Sequence, residues 1–448
     1  MTDQVERKKQ FFKKGYDYMS KLPFYISSDD LSDEQIYRLS ESKNFCILPW
    51  THMHAFPDGR TYPCCLADYW HPVGDLRKNT MEEVWNQDKF KDMRKNMLAD
   101  KPCTECKKCY EQEESGFFSM RNESNRNLGH YINDVDKTLD DGTHPEFKIR
   151  YWDIRFSNLC NFSCRTCGPI FSSNWYNDHV KLYNRVPDVL GRDMARVEYT
   201  AGDENSIMEQ MEPHIPHLEQ VYFAGGEPLI MKEHYFLLDK LLERDKTNTR
   251  LIYNTNFSEL RFKDKHVFDY WKKFETVNVG ASLDGSYARG ELIRKGTDWK
   301  QTLENRQRMK EEVPHVDFYI SATVSVMNVL HVLDFHKEWV ELGLIEPKDF
   351  NINILQGPDW YRVDILPEWF KHEVVIPAYK KHIEWLDPLD KLRRATVGFE
   401  SVINFMSNPG NKEDWNKFIK ETHVLDNLRK EKFWDIFPEL VPAKNDRV

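Results

Sequence analysis

From Arg150 onward the chain alternates short apolar runs with amphipathic stretches, and this alternation restricts the fold more than any other feature. Six runs read as strands: Tyr151–Phe156, Gln220–Ala224, Arg250–Asn254, Val277–Leu283, Asp317–Val324 and Asn351–Leu355. Helical segments such as Tyr235–Glu243, Trp299–Glu312 and Leu330–Leu342 fall between several of them. Strand–helix alternation implies parallel strands joined by right-handed crossovers. Six such units predict an α/β fold, a partial (β/α)6 barrel open along one side, since a closed barrel of this type needs eight. The insertion Gly168–Leu218 is expected to cover its top. Beyond Trp360 the strands stop, and Leu366–Trp385, Leu392–Ser407 and Lys412–Phe433 read as a C-terminal helical extension.

The part before Arg150 has a different texture. Residues 1–45 read as mostly helical, with Asp30 and Ser32 as caps. Thr51 to Tyr62 reads as a hairpin turning at Pro57-Asp58-Gly59. Met81–Leu98 reads as one helix, with Thr80 and Glu83 forming a capping box. Gly116–Thr143 is polar and reads as a linker. The expected organisation is therefore 1–45, a small α+β domain at 46–125, a barrel at 148–358 and a helical region at 359–448.

All nine cysteines of the 448-residue chain lie in its first 167 residues, at 46, 64, 65, 103, 106, 109, 160, 164 and 167. A disulfide framework in a secreted protein usually uses an even number spread along the chain, so a reducing compartment with metal or cluster ligation fits better. No apolar run approaches a membrane span, and Met1–Lys14 has no apolar signal region, so the expected location is cytoplasmic. A net charge of -10 argues against a general nucleic-acid surface.

The stretch from Asn158 reads N-L-C-N-F-S-C-R-T-C-G-P, a C-x3-C-x2-C triplet just after a predicted strand. Three thiolates on one loop can hold three irons of a four-iron cluster and leave the fourth open to a substrate. A zinc knuckle is the alternative, but no histidine follows closely; the nearest is His179. The second predicted strand runs into Gly225-Gly226-Glu227-Pro228, the third into Asn256, the fourth into Ser282 and Asp284, with Arg294 ten residues on, and the sixth ends at Leu355. These positions all fall at the C-terminal ends of strands, where barrel sites are built.

With these motifs the chain resembles the radical S-adenosylmethionine (SAM) superfamily over roughly Arg150 to Pro358. The resemblance implies that Cys160, Cys164 and Cys167 bind a 4Fe-4S cluster. It implies that Gly225, Gly226, Glu227 and Pro228 meet the amino group of SAM, that Ser282 and Asp284 meet its ribose and that Arg294 pairs with its carboxylate. Asn256 is similar to a family position of less definite role, and Leu355 is expected to meet the adenine through its backbone. The family usually has an aromatic residue before the last cysteine; here Thr166 stands there, and Phe162 precedes the middle cysteine.

The upstream cysteines form a second pattern: Cys46 with Trp50, the Asp58-Gly59 turn before Pro63-Cys64-Cys65, Val84-Trp85-Asn86, and Cys103-x2-Cys106-x2-Cys109. This resembles the SPASM/twitch auxiliary-cluster domains, here placed before the barrel. The resemblance implies a second 4Fe-4S cluster on Cys46, Cys64, Cys106 and Cys109. Spacing alone leaves open whether Cys65 or Cys103 replaces one of them, and a structural zinc site is the alternative. Leu425-Asp426-x2-Arg429 and Phe433 to Leu440 resemble a helix and tail of twitch-containing radical proteins.

The resemblance implies an enzyme that cleaves SAM reductively and uses the resulting radical to take a hydrogen from a substrate. A peptide or protein side chain is favoured over a small molecule such as a sugar, nucleotide or cofactor precursor. A flavodoxin- or ferredoxin-like reductant is implied. The reading from another class is a non-catalytic iron–sulfur or zinc-stapled interaction protein, which would have no use for a SAM pocket. The sequence identifies no residue for the hydrogen-abstraction step itself.

Overall fold

The computed structural model describes residues 25–114 and 118–445; the helical reading of the first 24 residues lies outside them. The chain is a mixed α/β fold with a central parallel sheet. It divides into two compact units, Met1–Ser157 with Glu198–Tyr222 and Phe236–Thr249, and Asn158–Val197 with Phe223–Tyr235 and Arg250–Val448. These units cut across the boundaries read from the sequence.

In the first unit, β1 (His52–Ala55) and β2 (Arg60–Tyr62) form the expected antiparallel hairpin, and β3 (Gly74–Asp75) pairs with β2. The turn needs glycine: Gly59 has φ +91°, and a Cβ there would sit 2.5 Å from Arg77 Cγ. Asp58 accepts from Arg60 Nε at 2.8 Å, which fixes the turn. On its other side β1 lies parallel to β4 (Tyr151–Ile154), in the register His52↔Tyr151 to Ala55↔Ile154. β4 in turn pairs in parallel with β5 (Gln220–Phe223). The hairpin of the cysteine-rich segment and the first predicted barrel strand are thus neighbours in one sheet. The alternation pattern gives no sign of this, because strand pairing is a tertiary choice.

The helix expected over Met81–Leu98 is two helices, α1 (Met81–Trp85) and α2 (Asp88–Leu98). Thr80 and Glu83 do form the capping box of α1. The break comes at Asn86, whose side chain donates to His144 O at 3.0 Å and accepts from Arg94 Nη1 at 2.9 Å. Asn in that role favours a helix end over a helix interior. The expected linker is a correction: among its described residues, α3 (Met120–Leu128) starts on a Ser119–Asn122 capping box, and further helical turns run to Val135. Its polar side chains point inward to backbone groups. Asn125 Oδ1 accepts from Ile47 N at 2.8 Å, and Arg121 Nη1 donates to Phe45 O at 2.7 Å. Phe45, Ile47, Trp50, Met93, Met97 and Ile132 fill the core beside them.

The second unit contains α4 (Trp175–Tyr183) and the start of α5 (Lys232–Glu243). Its sheet holds β6 (Arg250–Thr255), β7 (Val277–Ala281), β8 (Asp317–Val324) and β9 (Phe350–Ile354), all parallel, in the order β9-β8-β7-β6. Between and after the strands come α6 (Tyr287–Ile293), α7 (Trp299–Glu312), α8 (His331–Glu341), α9 (Ile376–Leu386), α10 (Thr396–Met406) and α11 (Lys412–Arg429). All six strands expected from the sequence exist. β4 and β7 end two residues early, where Arg155 and Ser282 lead the chain into loops. α11 stops before the expected Phe433 because Lys430 adopts a left-handed conformation, φ +56°. Among the described residues no helix is long and apolar enough to cross a membrane.

Candidate functional site

In the second unit Cys160, Cys164 and Cys167 sit on one tightly tied loop. Cys160 N donates to Ser173 Oγ at 3.2 Å, and Cys167 N to Cys164 O at 3.1 Å. Trp175 Nε1 donates to Cys164 O at 2.7 Å. From the other side, Ser163 N donates to Lys295 O at 2.9 Å and Arg165 N to Ile293 O at 2.7 Å. Phe162 is buried, and a Cβ on Gly296 would meet its ring at 2.6 Å. The aromatic residue absent before the last cysteine is therefore present before the middle one, and it packs the loop against the segment after α6.

Burial raises all three thiols, Cys167 to about 12, and their mutual repulsion adds to this for Cys160 and Cys167. Buried thiols so placed ionise only if positive charge joins them. Arg294 supplies some, with Nη1 4.0 Å from Cys164 Sγ. A donor set of three sulfurs and no other atom suits an iron–sulfur cluster. A cavity of about 140 Å³ adjoins Cys167, walled by Trp175, His179, Tyr183, Trp360 and Leu425.

The strand-end residues converge on this loop. Gly226 passes so close to it that an added Cβ would lie 2.0 Å from Leu159 O, and Glu227 N donates to the same carbonyl at 2.7 Å. The Glu227 carboxylate is buried, accepting from Thr255 Oγ1 and Asn256 N at 2.7 Å each and from Leu229 N at 3.1 Å. Burial pushes it up to about 7 against those bonds. Three of its four lone-pair positions are thus used inside the protein, which ties its own turn to the end of β6. Pro228 starts the turn that follows, and Gly225 has φ +113°. Asn256 Nδ2 donates to Asn161 Oδ1 at 2.8 Å, between the first two cysteines.

Asp284 and Arg294, read separately from the sequence, are partners: Arg294 Nε lies 2.6 Å from Asp284 Oδ2. Asp284 Oδ1 also accepts from Thr323 N at 2.7 Å. Ser282 is half-buried and donates its amide to Thr255 O at 2.7 Å; Leu355 donates its amide to Val324 O at 3.0 Å.

In the first unit a small cavity is lined by Cys46, Cys64, Cys106 and Cys109 together with Leu48, Leu66, Met120 and Arg121. Burial raises Cys46, Cys64 and Cys109, and the charges of the other thiols raise them further. Cys65 lies 3.9 Å from Sδ of Met120, itself part of the cavity lining, and Cys103 lies 3.8 Å from Met93 O and within hydrogen-bond reach of the Cys106 thiol. Among the described residues no three His, Cys, Asp or Glu side chains close on a point that would hold a single metal ion. Four thiols are the donor set of a four-iron cluster and of a structural zinc site alike.

The sequence reading missed a buried polar face in the same unit. His52 and His54 on β1 and Asp153 on β4 are fully buried, with Arg155 following. Each imidazole Nδ1 meets a backbone carbonyl, Tyr151 O at 2.8 Å and Asp153 O at 2.9 Å. The signal was the period-two pattern H-M-H-A beside Y-W-D-I-R, polar on one face where buried parallel strands are usually apolar on both.

Among solved structures the chain is similar to histidine-tagged anSMEcpe with bound AdoMet, at 18% identity over 56% of this chain and 60% of that one, with a TM-score of 0.35. It is similar to Streptococcus suis SuiB bound to S-adenosylmethionine, at 14% identity over 63% and 57%, TM-score 0.36. SuiB bound to precursor peptide SuiA gives 16% over 55% and 52%, TM-score 0.31. The chain thus spans less than two thirds of the length of each, and likeness at this level assigns no activity. A comparison with curated proteins found no match. Residues 46–110 match the SPASM iron–sulfur cluster-binding domain, and residues 154–341 match the radical SAM superfamily. The two domains imply 4Fe-4S clusters, one of them auxiliary. On these matches the chain carries a radical SAM superfamily domain over residues 154–341, with a SPASM domain ahead of it.

Proposed function

We propose that this chain is a radical SAM enzyme acting on a peptide or protein side chain. Cys160, Cys164 and Cys167 would hold the SAM-binding 4Fe-4S cluster, and Cys46, Cys64, Cys106 and Cys109 the auxiliary one. The observation that carries the reading is the convergence of Gly226, Glu227, Asn256 and Arg294 on the loop of the three cysteines. When bound on Cys160, Cys164 and Cys167, the reduced cluster would supply the electron for reductive cleavage of a carbon–sulfur bond of SAM.

The chain's own residues bind and orient. Three thiolates would hold the cluster. Arg294, oriented by Asp284, presents its guanidinium beside Cys164, where a carboxylate can share it bidentately. Gly225 to Pro228, Asn256, Ser282 and Leu355 complete the rim for the rest of the SAM molecule. Glu227 and Asn256 fix the loop through Leu159 and Asn161, so its geometry is set before any ligand arrives. The peptide preference rests on the SPASM region, and a flavodoxin- or ferredoxin-like donor would supply the electron.

The test is anaerobic reconstitution, iron counting and detection of 5′-deoxyadenosine with a strong reductant. The wild-type protein is expected to bind iron for two four-iron clusters and to form 5′-deoxyadenosine. Cys164→Ala is expected to lose half of that iron and all of the product. A fully loaded wild-type protein that makes no 5′-deoxyadenosine would refute the reading.

A further inference from the structure

Arg165 lies between the second and third cysteines of the triplet, and its side chain is fully buried. A buried guanidinium needs compensation. It comes from the C-terminal segment: Arg165 Nη2 pairs with Asp426 on α11 and with Glu431 just after it, the latter at 2.6 Å. Glu431 also takes Lys295 Nζ at 2.8 Å, and the Lys295 carbonyl accepts from Ser163 N inside the triplet loop. Asp426 Oδ2 accepts from Phe433 N at 2.8 Å, which folds the tail back, and Arg165 lies over the Phe433 ring at 5.6 Å. One turn earlier, Arg429 pairs with Asp178 at 2.9 Å and stacks on Trp175, the residue whose indole holds Cys164 O. Farther along, Glu439 takes Arg289 of α6 at 3.0 Å.

The strongest ties of this segment therefore end on the cysteine loop or on residues that hold it. Two cations, Arg165 and Lys295, meet two carboxylates, Asp426 and Glu431, in a balanced group. We propose that Asp426 and Glu431 are positioning residues for the triplet loop, and that they set the net charge which Arg165 and Lys295 present to the cluster there. This rests on the reading that Cys160, Cys164 and Cys167 hold a cluster.

Charge beside a cluster shifts its reduction potential, because the reduced form is the more negative one. Removing a carboxylate leaves excess positive charge and favours reduction; removing a cation does the reverse. The test is a redox titration of the anaerobically reconstituted holoprotein, followed by electron paramagnetic resonance without SAM. The cluster signal that Cys164→Ala abolishes is the one followed, and the signal that survives serves as internal control. Glu431→Gln is expected to raise the midpoint potential of the first signal, and Lys295→Gln to lower it, with the second signal unmoved. Opposite signs separate an electrostatic role from simple loosening of the loop, which would shift both variants alike and shed iron. Should Glu431→Gln fail to fold, the half-exposed Lys295 decides alone. Unchanged potentials, or shifts in one direction, overturn the proposal with the cluster intact. A wild-type protein with no signal sensitive to Cys164→Ala overturns the underlying reading instead, and the proposal with it.

Discussion

At the scale of single residues, glycine shows most clearly what packing demands. The family resemblance marks Gly226 as a position that meets the amino group of SAM. In the structure its missing side chain makes room for Leu159 O, 2.0 Å from where a Cβ would be. The obstacle is backbone, which cannot rotate away. Gly226→Ala is expected to cost about 1–3 kcal/mol in chemical denaturation and to lower iron retention by displacing the triplet loop. Gly168, one residue after the triplet, has no atom within 4 Å of an added Cβ, so Gly168→Ala is expected to stay within about 0.5 kcal/mol of wild type. The glycine was legible and its reason was not, since spacing along a chain does not say which distant backbone will lie beside it. The same holds for Asp284 and Arg294: both stood out by position, but their pairing emerges only once β7 and α6 are folded.

At the scale of elements, the contact between α8 and α9 carries a pH dependence. His336 Nε2 meets Pro347 O at 3.0 Å, so that nitrogen holds the proton and donates. His336 Nδ1 then accepts from His382 Nε2 at 3.0 Å. His336 Nδ1 carries no proton in this chain of bonds, and protonating it breaks the bond from His382. Burial lowers His336 to about 4 and His382 to about 3, while Lys337 lowers both and Asp390 opposes the shift at His336. An unfolded histidine titrates near 6.5, so between about 6.5 and 4 the unfolded chain binds more protons. The pair's contribution is complete above about pH 6.5 and is lost as pH falls toward 4. The thermal midpoint is expected to drop over that window, and His382→Gln to flatten part of the drop by roughly 2 kcal/mol or less. Elements themselves were largely legible. Strong apolar alternation located the four parallel strands β6 to β9 of the second unit but not its two-residue hairpin strands, such as Asp188–Val189 and Arg261–Phe262, and Asp317–Val324 and Trp299–Glu312 match to the residue. The helices after Ser119 were not legible, because Arg121 and Asn125 look like surface residues until their backbone partners are known.

At the scale of the whole molecule, the two cysteine sets belong to separate compact units, which predicts that their clusters load separately. Cys106→Ala is expected to lose one cluster's share of iron, keep SAM cleavage measured as 5′-deoxyadenosine, and fail to turn over the true substrate. Normal substrate turnover in Cys106→Ala would remove the auxiliary cluster from the mechanism. That two sets existed was plain from the sequence. Which four of the six upstream cysteines would bind a cluster was a matter of family resemblance, since spacing does not say which thiols the folded loops bring to one cavity.

The parallel pairing of β1 with β4 bears on how such a protein can be taken apart. In many proteins an accessory module can be trimmed to leave a tractable catalytic fragment. Here, cutting at residue 125 would strip β4 of its neighbour and expose a row of unpaired amides and carbonyls along Tyr151–Ile154. A raw edge of that kind recruits other chains. The amino-terminal cluster region is thus also a guard against self-association, and an excised carboxy-terminal piece is a poor starting point for study.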